Sequence, residues 1–91
     1  MFIVYFLKSL KNNKTYVGVT GKDPEKRLLE HNQGSNKFTK HNLPFALVYF
    51  EKYHCKTDAA AREKFYKTGV GRKIRDIIIE YTQSRILSSV G

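Results

Sequence analysis

The sequence predicts an α+β fold: a small three-stranded antiparallel sheet flanked by three helices, in the order ββα-β-αα. Three observations carry that reading. Two runs rich in β-branched and aromatic residues, Phe2 to Lys8 and Thr15 to Thr20, flank Asn12-Asn13, residues that tolerate the left-handed backbone of a hairpin turn. Asp23-Pro24 opens a helix with an N-cap carboxylate and a proline at the first helical position. A third strand-like run is followed by helical periodicity that only Gly69 and Gly71 interrupt.

The elements follow in order. The first strand is apolar on both sides, Phe2, Val4 and Phe6 on one and Ile3, Tyr5 and Leu7 on the other. Such a strand belongs in the middle of a sheet covered on both faces. With Asn12 and Asn13 as central turn residues, odd positions before the turn share a face with even positions after it. Tyr5 and Tyr16 then point the same way, and the parity survives a register shift of two. Gly18 lies between them as an uncovered patch of backbone. The first helix runs to about Asn32 with Leu28 and Leu29 as core contacts, and Gly34 ends it. Ser35 to Phe45 is a basic, polar connection carrying Lys37, Lys40 and His41. Ala46 to Tyr53 is the third strand, with Leu47, Tyr49 and Glu51 alternating against Val48, Phe50 and Lys52. Thr57 or Asp58 caps a helix from Ala59 to about Lys67, stopped by Gly69 and Gly71. A last helix from Arg72 to about Leu87 presents Ile74, Ile77, Ile78 and Tyr81, and Ser88 to Gly91 frays.

Ninety-one residues predict one domain, 1–91, burying roughly 60–65% of its unfolded surface. Seventeen Lys and Arg against eight Asp and Glu give a net charge of +9, which favours a polyanionic partner. Cys55 is the single cysteine, so no internal disulfide or thiolate metal cluster forms, in keeping with a reducing cytoplasm. The apolar run Phe2 to Leu7 is too short to span a membrane and lacks the basic start of a signal peptide.

Arg27 and His31 share a face of the first helix, so the hairpin and this helix gather two phenols, a guanidinium and an imidazole. That set suits the handling of a phosphate. Glu63 lies on the same side of its helix as Ala59 and Tyr66, and an inward carboxylate needs compensation such as a divalent metal. Each residue also has an ordinary reading: strand tyrosines pack their rings, and Lys67 stands one turn from Glu63 as an ion-pair partner. Lys37, Lys40, Arg72, Lys73 and Arg75 are candidate phosphate contacts, together with the bare backbone at Gly18.

Taken in order, these residues resemble the GIY-YIG nuclease family. Ile3-Val4-Tyr5 stands at the first triplet, Tyr16-Val17-Gly18 at the second, and Arg27, His31 and Glu63 at the later positions. The resemblance is closest to small stand-alone members, through His31-Asn32-Gln33-Gly34, Leu47-Val48-Tyr49 and Lys67-Thr68-Gly69-Val70-Gly71-Arg72. Three features depart from it. Ile3 replaces the first glycine, Val19 stands where the nuclease domain of the excinuclease C subunit has a lysine, and the late asparagine of some relatives has no counterpart.

The resemblance implies a metal-dependent endonuclease acting on nucleic acid, most readily DNA. Glu63 would hold Mg²⁺ or Mn²⁺, Arg27 would balance phosphate charge, and Tyr16 would bond the phosphate or water. Either Tyr5 or His31 would activate the water. A basic binding module on the same fold, without turnover, is the alternative. A homodimer or a targeting partner protein remains open at this level.

Overall fold

The computed structural model describes residues 1–34 and 40–90, with side chains to residue 82. Lys37 therefore lies outside the described residues. Strands β1 (Phe2–Ser9), β2 (Thr15–Thr20) and β3 (Phe45–Tyr53) form one antiparallel sheet in the order β2-β1-β3. The doubly apolar strand is the central one, as expected. Helix α1 (Pro24–Asn32) covers the face carrying Ile3, Tyr5 and Leu7. Helices α2 (Lys56–Tyr66) and α3 (Gly69–Val90) cover the face carrying Val4, Phe6 and Val17.

The hairpin register differs from the expected one by two residues, with Tyr5 opposite Gly18 and Leu7 opposite Tyr16. Parity is kept, so Tyr5 and Tyr16 share a face. The longer connection is built around Ser9, whose buried hydroxyl donates to the Asn42 carbonyl at 2.6 Å and accepts from the amides of Lys11 and Asn12. Asn13 supplies the left-handed residue at φ 63°. The outer strand β3 departs from simple alternation. A bulge opposite Phe6 and Leu7 pairs them with Tyr49 and Leu47, so Leu47 faces α1 whereas Tyr49 and Glu51 face the α2 side.

Asp23 caps α1 as expected, its carboxylate accepting from the Glu25 amide at 2.9 Å, and Gly34 takes the left-handed conformation at φ 81° beyond the helix end. Leu29 is not a core residue: it is 62% exposed, and His31 is fully buried instead. The inward face is Pro24, Arg27, Leu28 and His31, spaced at i, i+3, i+4 and i+7, and Leu29 lies about 100° further round.

Helix α2 starts earlier than expected, with Cys55 rather than Thr57 or Asp58 at its N-cap. Gly69 and Gly71 do not stop anything; α3 begins at Gly69 and continues to Val90. Gly71 is the point where α3 meets the end of α2. A Cβ there would overlap the Phe65 carbonyl and lie 2.9 Å from the Tyr66 Cα. That close approach fixes the rotation of α3. Ile74, Ile78 and Ile79 turn inward, whereas Ile77 and Tyr81, expected on one face with Ile74 and Ile78, are exposed.

Glu51 ties α2 to the sheet. Its carboxylate accepts from Tyr49 at 2.8 Å, from Tyr53 at 2.6 Å and from Tyr66, and it lies 3.4 Å from Arg62 Nε. Burial alone would raise this carboxyl, but the bonds from Tyr53, Tyr66 and Tyr49 outweigh it, and Arg62 adds to them, so the group stays below its ordinary range. The Arg62 guanidinium stacks 4.6 Å from the Tyr66 ring centroid. The next residue along α2 is Glu63, so this network holds the helix that carries it.

Candidate active site

Tyr5, Tyr16 and His31 lie together on the α1 side of the sheet, whereas Glu63 is carried by α2, which packs on the other side. The Tyr5 hydroxyl lies 2.9 Å from His31 Nε2, and both side chains are buried. The Tyr16 ring centroid is 6.3 Å from that of Tyr5 and 4.9 Å from that of His31. Asn32 accepts from the Phe45 amide at 2.7 Å and donates to the Phe45 carbonyl at 3.1 Å, which pins the end of α1 against β3 and so fixes His31 in place.

Gly18 is not the bare backbone patch expected for it. It is buried, and the phenols lie over it: a Cβ there would sit 2.5 Å from the Tyr5 hydroxyl and 2.9 Å from Tyr16 Cε1. The missing side chain makes room for the Tyr5 hydroxyl beside its opposite strand.

Arg27 stands at the edge of this cluster, its Nη1 donating to Glu30 Oε1 at 2.8 Å, and Lys22 holds the other carboxylate oxygen at 3.0 Å. The bonds from Arg27 and Lys22 hold the Glu30 carboxyl below its usual range. Glu30 was absent from the residues singled out by sequence. The i, i+3 spacing to Arg27 was the available signal.

Burial is the largest influence on Tyr5 and pushes its phenol well above the ordinary value; Tyr16 adds to this and the Arg27 charge opposes it. The Glu63 carboxylate is the weakest of these influences and also raises Tyr5. Burial, then Arg27, depress His31 below 6.5, with Glu30 opposing. Neutral imidazole therefore meets neutral phenol at pH 7.

The depressed His31 has a stability consequence. Between its folded value and 6.5 the unfolded chain binds more protons, so this contribution is complete above 6.5 and is lost as pH falls toward the folded value. Urea midpoints should therefore decline from pH 7 to pH 5, and His31→Gln should flatten the decline. An unchanged slope in the variant would assign it to other groups.

Glu63 is 28% exposed at its side chain and accepts from Lys67 Nζ at 3.2 Å. Among the described residues no three His, Cys, Asp or Glu side chains cluster as a metal cage. A single partly exposed carboxylate fits a hard cation that keeps most of its waters and takes phosphate oxygens, as Mg²⁺ and Mn²⁺ do. It does not fit a structural zinc site. Of the predicted phosphate contacts, Arg72 and Arg75 line one groove, Lys40 is exposed beyond α1, and Lys73 is exposed on α3 away from that groove.

The chain matches a nuclease-type family of domains. A family model described as the GIY-YIG catalytic domain matches residues 1–75, and the chain belongs to that family. It is 38% identical over 78 residues to the UPF0213 protein SSP2268 of Staphylococcus saprophyticus, covering 85% of this chain and 93% of that one. It is 32% identical over 77 residues to the UPF0213 protein YazA of Bacillus subtilis, covering 84% and 76%. The UPF0213 protein CPE1444 of Clostridium perfringens is 41% identical over 68 residues, covering 74% and 71%. No solved structure matches the chain. No helix among the described residues is long and apolar enough to cross a membrane.

Proposed function

We propose that residues 1–91 act as one endonuclease domain that hydrolyses phosphodiester bonds in DNA with one divalent cation. The observation that carries the reading is the buried Tyr5–His31 hydrogen bond beside Arg27. Packing alone calls for no buried imidazole beside a phenol pair.

Glu63 would hold Mg²⁺ or Mn²⁺, releasing Lys67, and the cation would polarise the phosphate and lower the proton affinity of a bound water. Arg27, held in place by Glu30, balances the charge that builds on the phosphate oxygens. Tyr16 places its hydroxyl toward the phosphate. Burial makes Tyr5 reluctant to ionise alone, which supports a relay rather than a free phenolate. The attacking water gives a proton to the Tyr5 oxygen as the Tyr5 proton passes to His31 Nε2. The water oxygen bonds to phosphorus, the bond to the leaving oxygen breaks, the leaving oxygen takes a proton from solvent, and His31 releases the relayed proton to solvent.

The test is conversion of supercoiled plasmid to nicked circles. Added Mg²⁺ or Mn²⁺ should support it and a chelator should stop it. Cleavage that persists in chelator would overturn the metal requirement. The second reading, a basic nucleic-acid-binding module, draws on the Glu63–Lys67 pair, which leaves the carboxylate engaged in the free protein. It requires DNA binding with no nicking under any divalent cation.

A further inference from the structure

We propose that the groove between the tip of the β1–β2 hairpin and helix α3 is the track that carries the substrate's sugar-phosphate backbone away from the scissile phosphate, with Lys14 and Arg72 as its clamps. The proposal rests on the nuclease reading of the site and adds the path of the substrate to it.

The groove is about 960 Å³, and a contiguous recess of about 340 Å³ shares Tyr16, Arg72 and Arg75 with it. Lys14 on the hairpin and Arg72 on α3 come from opposite walls, and buried Phe45 and Ile79 line the space between them. The recess reaches Lys67, whose ammonium lies 3.2 Å from Glu63. A continuous concave surface therefore runs from Lys67, the ion-pair partner of Glu63, past Tyr16 to the hairpin.

Its charge is uneven in a useful way. Arg75 is bonded to Asp76 and Lys67 to Glu63, but among the described residues no carboxylate pairs with Arg72 or Lys14. Cations facing one another across a concavity focus field and draw in a polyanion far better than the same charges spread over a convex surface. Glu80, one turn beyond Asp76 on the same wall, ends the positive stretch. The track therefore fits a short run of phosphates adjoining the reacting one, and not a long duplex lying across the whole surface.

The experiment uses the full chain carrying Glu63→Gln, so that binding is read without cleavage. Fluorescence anisotropy with a short labelled duplex and with its separate strand gives affinity across a salt series. On the tighter probe, Arg72→Gln and Lys14→Gln should each weaken binding severalfold and flatten the log–log salt slope by about one. Lys26→Gln on α1 and Lys52→Gln on β3, both exposed and outside the groove, should leave affinity and slope unchanged. If the outer variants cost as much as the groove variants, binding is spread over the surface and the track is wrong, with the nuclease reading untouched. If the groove variants change neither affinity nor slope, the track is likewise wrong. If neither probe binds and the unsubstituted chain cuts no plasmid, the nuclease reading fails and the track falls with it.

Discussion

Phenylalanine at position 5 should lower the nicking rate by roughly 100-fold or more, the range that a positioned proton acceptor supplies. Tyr5→Phe keeps the ring against Ile3, Leu7 and Phe45 and removes only the hydroxyl bonded to His31. The loss of one buried hydrogen bond costs about 1 kcal/mol, so the melting temperature should fall by only about 4–8 °C. DNA affinity should hold, because the Tyr5 hydroxyl lies outside the groove whose cations grip the phosphates. Tyr16→Phe should be milder, since Arg27 and the cation remain on the phosphate. His31→Ala reports on the relay: a loss matching that of Tyr5→Phe joins the two residues in one step. If His31→Ala abolishes activity while Tyr5→Phe is nearly silent, the imidazole acts on water directly. If both tyrosine variants cut normally per folded molecule, the phenols serve packing alone.

Gly71→Ala should give the largest loss of stability. The added Cβ meets the backbone of Phe65 and Tyr66, which cannot swing aside as a flexible side chain does. The α2–α3 junction must open, at about 3 kcal/mol, corresponding to roughly 12–24 °C in melting temperature. Gly69→Ala is the internal contrast, because nothing lies within 4 Å of a Cβ there and alanine favours a helix. It should melt at or slightly above the unsubstituted chain. Equal melting of the two variants, read by circular dichroism, would show that α3 is not seated on α2 in this way.

The contrast between those glycines also shows what a sequence hides. A glycine that stops a helix and one that admits a neighbouring backbone look alike until the neighbour is known, so Gly71 read as a break. The β3 pattern failed for a similar reason. Leu47, Tyr49 and Glu51 alternate perfectly, but one bulge moves the first onto the other face, and no single residue announces it. His31 read as part of a helix face, yet it takes the buried place that Leu29 was expected to fill.

What was legible rested on local chemistry or on parity. The Asp23-Pro24 start depends on two adjacent residues. The central position of β1 follows from its two apolar sides, and the shared face of Tyr5 and Tyr16 survives a register error of two. The Glu51 and Glu30 networks were not legible as networks, because Glu51 gathers partners from β3 and α2, and Glu30 reaches back beyond α1 to Lys22.

The proposed phosphodiester hydrolysis depends on Glu63 and Arg27. The most direct measurement is plasmid nicking with Mg²⁺ or Mn²⁺ by the unsubstituted chain, Glu63→Ala and Arg27→Ala, purified identically and confirmed folded. The unsubstituted chain should nick the plasmid and each variant should be slower by about 100-fold, the scale of losing one charge-stabilising group. Equal nicking by all three would place the activity in a contaminant and contradict the account.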